Sequence, residues 1–460
     1  MSAIIRRDPP PLGQEPAFLF PAVTRMRLPN GVSVWSVERH RLPVVSVSLL
    51  LPAGSACDPD ERPGLASLTA DMLDEGAAGR SAIEIQETFG RLGTSLDTEA
   101  GTDAILLSFT VLPRHVPDAL ALLADLVERP TLADEDFQRI RKLRLNRLRQ
   151  LRDSPSAVAD QAFLRAVFGA HPYGHPPHGL SRAIEHMQLD EIVRLHASAY
   201  RPTRATVIVV GAMTHDAAAR AVERAFGDWP SGGGRPGGPA DGLASSPEPV
   251  PGTSRILLVD RPGAAQTELR IGHLAPPRRT PDYHKLVLLN AVLGGQFVSR
   301  INSNLREKRG YTYGAHTAFE FRRAAGSFAL QTSVQTDATG DAVQQSIAEI
   351  GSIRRDRPPT EQELDLARAS LTRGFPRGFE TNGQIARALA QAAVYDLPDD
   401  TFETFTPTVL ALQVTDLLRA ARAYLDPAGL IIIAVGDRGR IRAGLAELGR
   451  GEPVITHVDM

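Results

Sequence analysis

Arg306 and Tyr313 lie seven positions apart in the run Leu305-Arg306-Glu307-Lys308-Arg309-Gly310-Tyr311-Thr312-Tyr313-Gly314. An arginine offers a fork of N–H donors and a phenol offers one O–H. Together they suit a peptide carbonyl and the oxyanion that forms when water attacks it. A second set is Ser67 and Asp71, spaced i and i+4 in Gly64-Leu65-Ala66-Ser67-Leu68-Thr69-Ala70-Asp71. Residues so spaced face one way on a helix. A helix holds zinc in this way when both residues are ligands and a nearby carboxylate activates the bound water. Here Ser67 is a poor neutral ligand and Ala70 has no group that accepts a proton, so the spacing is present without the chemistry. A third set is His171-Pro172-Tyr173-Gly174-His175-Pro176-Pro177-His178. Three imidazoles are a possible transition-metal site, but the prolines and glycine make this a turn-rich loop with no interleaved carboxylate. A structural loop is the expectation, with a metal site as the alternative.

The elements that must position these residues follow from periodicity and punctuation. Gly294-Gly295 ends a helix begun near Pro281, and a second amphipathic helix, Gly310 and a strand are expected to follow. Ser67 and Asp71 sit on a helix starting at Pro63. The segment Asp134 to Arg152 reads as a helix whose apolar face holds Phe137, Ile140, Leu143, Leu148 and Leu151. Arg147 falls within that face, four residues from both Leu143 and Leu151. Its other cations (Arg139, Arg141, Lys142, Arg144, Arg149, Arg152) read as a solvated face, with the wall of a chamber for acidic peptides as the alternative.

Residues 231–254 are dominated by Gly, Pro, Ser and Ala and bury too little apolar surface to order themselves, so they read as a linker. The parts on either side match as a repeat. Val32 to Val37, Val44 to Leu51 and the helix from Pro63 parallel Ile256 to Asp260, Thr267 to His273 and the helix from Pro281. Near the ends, a helix to Tyr200 and a strand to Gly211 parallel a helix to Tyr424 and a strand to Gly436. The expected division is an N-terminal extension (1–23), a first α+β domain (24–230), the linker (231–254) and a second α+β domain (255–460).

With 460 residues, 42% of them hydrophobic, the chain has ample material for two cores. A net charge of -2 gives no global field for nucleic acid or anionic membrane. No stretch approaches membrane-span length, and no apolar leader core follows Arg6 and Arg7, so a cytoplasmic location is expected. The one cysteine, Cys57, excludes an internal disulfide.

The frame around Ser67 resembles the zinc helix of the insulinase/pitrilysin (inverzincin) metallopeptidases, where the motif is His-x-x-Glu-His. On that frame Ser67, Ala70 and Asp71 replace the first His, the Glu and the second His, and Arg147 aligns with the distant third ligand. The run Gly294 to Gly314 resembles the Arg/Tyr segment of the family's non-zinc half. The resemblance implies two homologous domains, each an antiparallel sheet backed by helices. It also implies that the chain is a non-zinc subunit similar to those of heterodimeric processing peptidases. Such a subunit holds no zinc, pairs with a zinc-bearing partner, binds unfolded peptide, and supplies Arg306 and Tyr313 to the partner's site. The alternative is a catalytically inert peptide-binding or scaffolding homologue. By the family's geometry Asp71 and Arg147 point at one spot, so they are expected to form an ion pair there, with Ser67 beside it.

Overall fold

The computed structural model describes residues 18–231 and 255–459. The expected linker, apart from Ser231, lies outside the described residues, as does most of the N-terminal extension. The first half comprises β1 (Thr24–Arg27), β2 (Ser33–Glu38), β3 (Val45–Leu51), α1 (Leu65–Asp71), β4 (Gly76–Ala77), β5 (Arg80–Ser81), α2 (Ala82–Arg91), β6 (Asp97–Ala100), β7 (Ile105–Val111), α3 (Val116–Glu128), α4 (Asp134–Arg152), α5 (Pro155–Phe168), α6 (Ser181–His186), α7 (Leu189–Ala199), β8 (Thr206–Gly211) and α8 (His215–Phe226). The second comprises β9 (Arg255–Asp260), β10 (Gln266–Ala275), α9 (Tyr283–Leu293), α10 (Arg300–Asn302), β11 (Ala315–Glu320), β12 (Gly326–Gln335), α11 (Thr339–Ser352), α12 (Glu361–Gly374), α13 (Asn382–Val394), α14 (Phe405–Ala411), α15 (Val414–Tyr424), β13 (Ile431–Gly436), α16 (Arg438–Ala446) and β14 (Val454–Ile455).

Two six-stranded sheets carry the halves, in the orders β1-β2-β8-β3-β7-β6 and β11-β12-β10-β13-β9-β14. The run β2-β8-β3-β7-β6 corresponds strand for strand to β9-β13-β10-β12-β11, which is the repeat read from the sequence. The sheets are not wholly antiparallel as expected: β2 pairs with β8, and β9 with β13, in parallel. Each of these pairs is separated in sequence by a long excursion through helices, and a parallel crossover needs such an excursion.

The central strands are buried on both faces, and the two faces belong to different cores. Along β8, Val207 and Val209 join the first half's own core, while Ile208 and Val210 pack with Ile385, Ala386 and Leu389 of α13. Along β13, Ile432 and Ala434 join the second half's own core, while Ile431, Ile433 and Val435 pack with Val158, Ala159, Ala162 and Phe163 of α5. The halves therefore exchange helices, α5 covering the second sheet and α13 the first. A strand covered on both sides must be apolar at every position, which is why these strands read as unbroken Val/Ile runs rather than alternating ones.

Polar contacts fix the exchange. Arg270, 2% exposed within the second sheet, donates to Asp160 Oδ1 (2.6 Å) and Ser156 Oγ (2.8 Å) of α5. In return, Asn382 Nδ2 of α13 donates to Val44 O (3.0 Å). A capping box between Thr381 and Gln384 starts α13 at that point. Phe18 and Phe20, just before the first strand, pack against Phe375, Phe379 and Phe402 of the second half.

Candidate functional site

Helix α1 starts at Gly64, whose φ of 99° and 2.7 Å approach of an added Cβ to Gly179 Cα leave no room for a side chain. Its first amides are met by Asp58, which accepts from Gly64 N (2.6 Å) and Ala66 N (2.7 Å). Burial pushes the Asp58 carboxyl up to about 7, against the pull of those two N–H groups and of Arg144. Ser67 and Ala70 are buried, and Asp71 ends the helix with its side chain 40% exposed.

The guanidinium that meets Asp71 is that of Arg144, not Arg147. Arg144 Nη2 donates to Asp71 Oδ2 (2.5 Å) and Ser67 Oγ (3.0 Å), and its Nη1 donates to His178 O (2.9 Å). The ion pair expected at Arg147 is absent. Arg147 is exposed and lies 3.5 Å from Gln150 Oε1 on its own helix. The reason is helix rotation. The buried stripe of α4 is Phe137, Ile140 and Leu148, on which Arg144 is the member four residues after Ile140 and four before Leu148. Leu143, counted into the apolar face from the sequence, is 54% exposed. Arg144 thus joins α1, α4 and the histidine loop through three hydrogen bonds.

These residues do not fit a zinc ion. The donor set is one carboxylate and one hydroxyl, both already hydrogen-bonded to a guanidinium, and no proton-accepting group stands at position 70. Among the described residues no three His, Cys, Asp or Glu side chains converge as a metal-binding group.

The histidine loop serves as a clasp between the halves. Tyr173, fully buried, donates to Asp103 Oδ1 (2.5 Å) and accepts from Ala324 N (3.1 Å), while Arg323 N donates to Asp103 Oδ2 (3.0 Å). His171 Nδ1 accepts from Tyr173 N (3.1 Å), and His175 faces Asp58 at 4.0 Å. Burial lowers His178 to about 4, with Arg144 and Arg147 adding to the shift. The basic residues of α4 are mostly engaged locally: Arg139 with Glu75 and Asp136, Arg141 with Met187 O and Gln138, Arg149 with Asn146. Cys57 is buried and its thiol is pushed up to about 11, which makes it a poor nucleophile.

Arg306 and Tyr313 share a cleft of about 360 Å³ with Gly294 to Phe297, Asn302 and Gly314 to His316. The amphipathic helix expected after Gly295 is not a regular one. A single turn, α10, passes into a π-helical turn over Ser303–Lys308 that carries Arg306. Such turns concentrate at functional sites because they re-aim one side chain. The turn is anchored by Arg300, whose Nε and Nη2 bond Glu363 Oε1 and Oε2, each at 2.6 Å. Arg306 stacks at 4.0 Å over the ring of Phe297, and its Nη1 makes no hydrogen bond, its one charged neighbour being Glu307 Oε1 at 3.5 Å. Tyr313 is 93% exposed.

Sequence reading missed two residues here. Asn302 donates to Phe297 O (2.6 Å) and accepts from Ala315 N (3.0 Å), so it holds the glycine loop against β11. Phe297 supports the arginine fork. Neither has a sequence signal beyond lying between Gly295 and Arg306. Both β6, beside α1, and β11, beside this cleft, are edge strands.

Comparison with known proteins places this architecture. Residues 33–179 match the family model described as insulinase (peptidase family M16), and residues 186–371 match that of the peptidase M16 inactive domain. An uncharacterized zinc protease of Mycobacterium tuberculosis (strain ATCC 25618 / H37Rv) is 28% identical over 78% of this chain and 81% of its own length. Another, YmxG of Bacillus subtilis (strain 168), is 23% identical over 79% and 87%. The crystal structure of a peptidase M16 inactive domain from Pseudomonas fluorescens superposes with a TM-score of 0.83 at 27% identity, covering 90% of this chain and 98% of that one. The crystal structure of a protease from Helicobacter pylori shares the fold, with a TM-score of 0.84 at 20% identity over 91% and 100%. The two matched models follow one another along the chain from residue 33 to residue 371, and the chain belongs to the insulinase family of peptidases, M16.

Proposed function

We propose that this chain is the non-zinc subunit of a two-chain insulinase-type metallopeptidase. It pairs with a zinc-bearing subunit, helps to enclose an unfolded peptide and contributes Arg306 and Tyr313 to hydrolysis at the partner's metal. The observation that carries this reading is the state of Arg306. Its Nη1 makes no hydrogen bond and has only a loose ion pair with Glu307 Oε1, 3.5 Å away, while Phe297 holds the guanidinium plane in place. An exposed ion pair is worth only about 0–1 kcal/mol, so the fork can leave Glu307 for an incoming oxygen at little cost. Tyr313, almost wholly exposed, offers its hydroxyl to the same cleft.

In this reading zinc belongs to the partner and supplies activated water there. The residues of this chain bind and orient. Arg306 donates to the peptide carbonyl beside the scissile bond, and Tyr313 donates to the oxygen as it gains charge. The open edges of β6 and β11 offer unpaired backbone groups to an extended peptide.

The test is reconstitution with a zinc-bearing insulinase-type subunit. Arg306→Ala and Tyr313→Phe should each lower turnover on the order of a hundredfold, about 3 kcal/mol, with pairing intact by sedimentation. Normal cleavage by both variants in a verified complex would refute the assigned roles. No cleavage by any complex, together with peptide binding by the lone chain, would support the inert peptide-binding alternative.

A further inference from the structure

A cavity of about 520 Å³ lies away from the Arg306 cleft, between the histidine loop, α5, β9 and the C-terminal tail. The tail forms one wall. Val454 and Ile455 pair with β9, Thr456 N donates to Leu258 O (2.9 Å), and the Asp459 carbonyl accepts from Gln161 Nε2. Leu180, Leu257 and Val458 give the cavity an apolar body.

Its polar groups are unequally matched. Gln161 is 6% exposed, its amide nitrogen is committed to the tail, and its Oε1 is buried with no donor. His175 Nδ1 lies 3.2 Å from Pro176 O, where only an N–H is favourable, so the neutral ring presents Nε2 as an acceptor. That Nε2 is 4.0 Å from Asp58 Oδ2, too far for a hydrogen bond. Of the three acidic side chains lining the cavity, that of Asp58 is committed to Gly64 N and Ala66 N, which leaves those of Asp60 and Asp459 against one guanidinium, that of Arg165, which donates to Gly169 O (2.7 Å). Burial lowers His175 and keeps it neutral, so it adds no compensating charge.

The cavity therefore has acceptors to spare and few free donors, around an apolar body of small-molecule size. We propose that it is a binding site for an organic cation, a primary ammonium on an aromatic or branched aliphatic body. The ammonium donates to Gln161 Oε1 and the body lies on Leu180, Leu257 and Val458. A free amine and the N-terminus of a peptide both present this chemistry.

Calorimetric titration of the full chain with phenethylamine tests the site without any partner subunit. The tripeptide amide Phe-Gly-Gly-NH2 forms a second arm, and phenylacetate serves as the anionic control. Phenethylamine should bind with a dissociation constant of about 0.1–1 mM, the range expected for so few non-hydrogen atoms. Phenylacetate should not bind. Binding of both cations would extend the site to peptide N-termini, and binding of phenethylamine alone would restrict it to free amines. Gln161→Leu should weaken binding at least about tenfold, and Gln161→Glu, which keeps the acceptor and adds charge, should preserve or tighten it. The proposal is overturned if neither cation binds at millimolar concentration, if phenylacetate binds equally well, or if Gln161→Glu abolishes binding in a chain that is folded by circular dichroism.

Discussion

Replacing Arg144 with methionine removes the cross-link between α1, α4 and the histidine loop. The guanidinium serves three acceptors, Asp71, Ser67 and His178 O, and its side chain is 10% exposed. Breaking a fully buried pair costs about 3–5 kcal/mol, whereas an exposed pair is worth about 0–1. Asp71, with its side chain 40% exposed, puts this pair between those limits. Arg144→Met should therefore cost about 3 kcal/mol, since Ser67 and the His178 carbonyl lose their donor as well. Asp71→Asn should cost less, about 1–2 kcal/mol, because Arg144 keeps its other two acceptors and gains an amide oxygen. Burial holds the Asp71 carboxyl above its ordinary value with Arg144 opposing, so loss of Arg144 drives it further up. The double variant should recover about 1.5–2 kcal/mol relative to additivity. Trp35 and Trp229 are the only tryptophans and both lie in the first half, so guanidinium denaturation followed by their fluorescence reports on the half that contains the pair. Coupling below about 0.5 kcal/mol would refute the cross-link. So would a cost for Arg147→Met equal to that for Arg144→Met.

The isolated chain should be zinc-free by elemental analysis and inactive on peptides; stoichiometric zinc with cleavage would overturn that reading. The triple change Ser67→His, Ala70→Glu and Asp71→His should not restore zinc binding unless Arg144 is also replaced, since its positive charge would face the metal; equilibrium dialysis compares the two variants. Asp58 stays protonated to about 7 when folded and to the ordinary carboxylate value when unfolded, so its contribution to stability is full below about 4 and is lost as pH rises to about 7, a change of up to about 4 kcal/mol. His178, lowered to about 4, acts in the opposite sense, its contribution being lost as pH falls from about 6.5 to 4. Asp58→Asn should therefore gain on the native chain as pH rises from 4 to 7, on top of a constant cost for the lost acceptor, and a pH-independent difference by denaturant titration would contradict this. Tyr173→Phe should cost about 1–3 kcal/mol by leaving Asp103 and Ala324 N without their shared hydroxyl, and an unchanged denaturation midpoint would count against the clasp.

Much of this protein was legible from local signals. Ser67, Ala70 and Asp71 declare a helix with zinc spacing and no zinc chemistry, because ligand identity is a property of single side chains. Arg306 and Tyr313 were found together because the glycines and strand around them fix a short stretch of chain. The repeat was visible because two β2-like and β8-like strands recur in order with their flanking helices. What the sequence left open depends on rotation and on long-range packing. Whether Arg144 or Arg147 meets Asp71 turns on less than one helical turn, and the exposed Leu143 misleads any count of the apolar stripe. The π-helical turn beneath Arg306 has no residue signature, since it is set by the anchoring of Arg300 to Glu363 and of Asn302 to the glycine loop. The exchange of α5 and α13 could not be read either. An amphipathic helix specifies that it must cover an apolar surface, but not which of two similar sheets it will cover, and only the folded chain settles that choice.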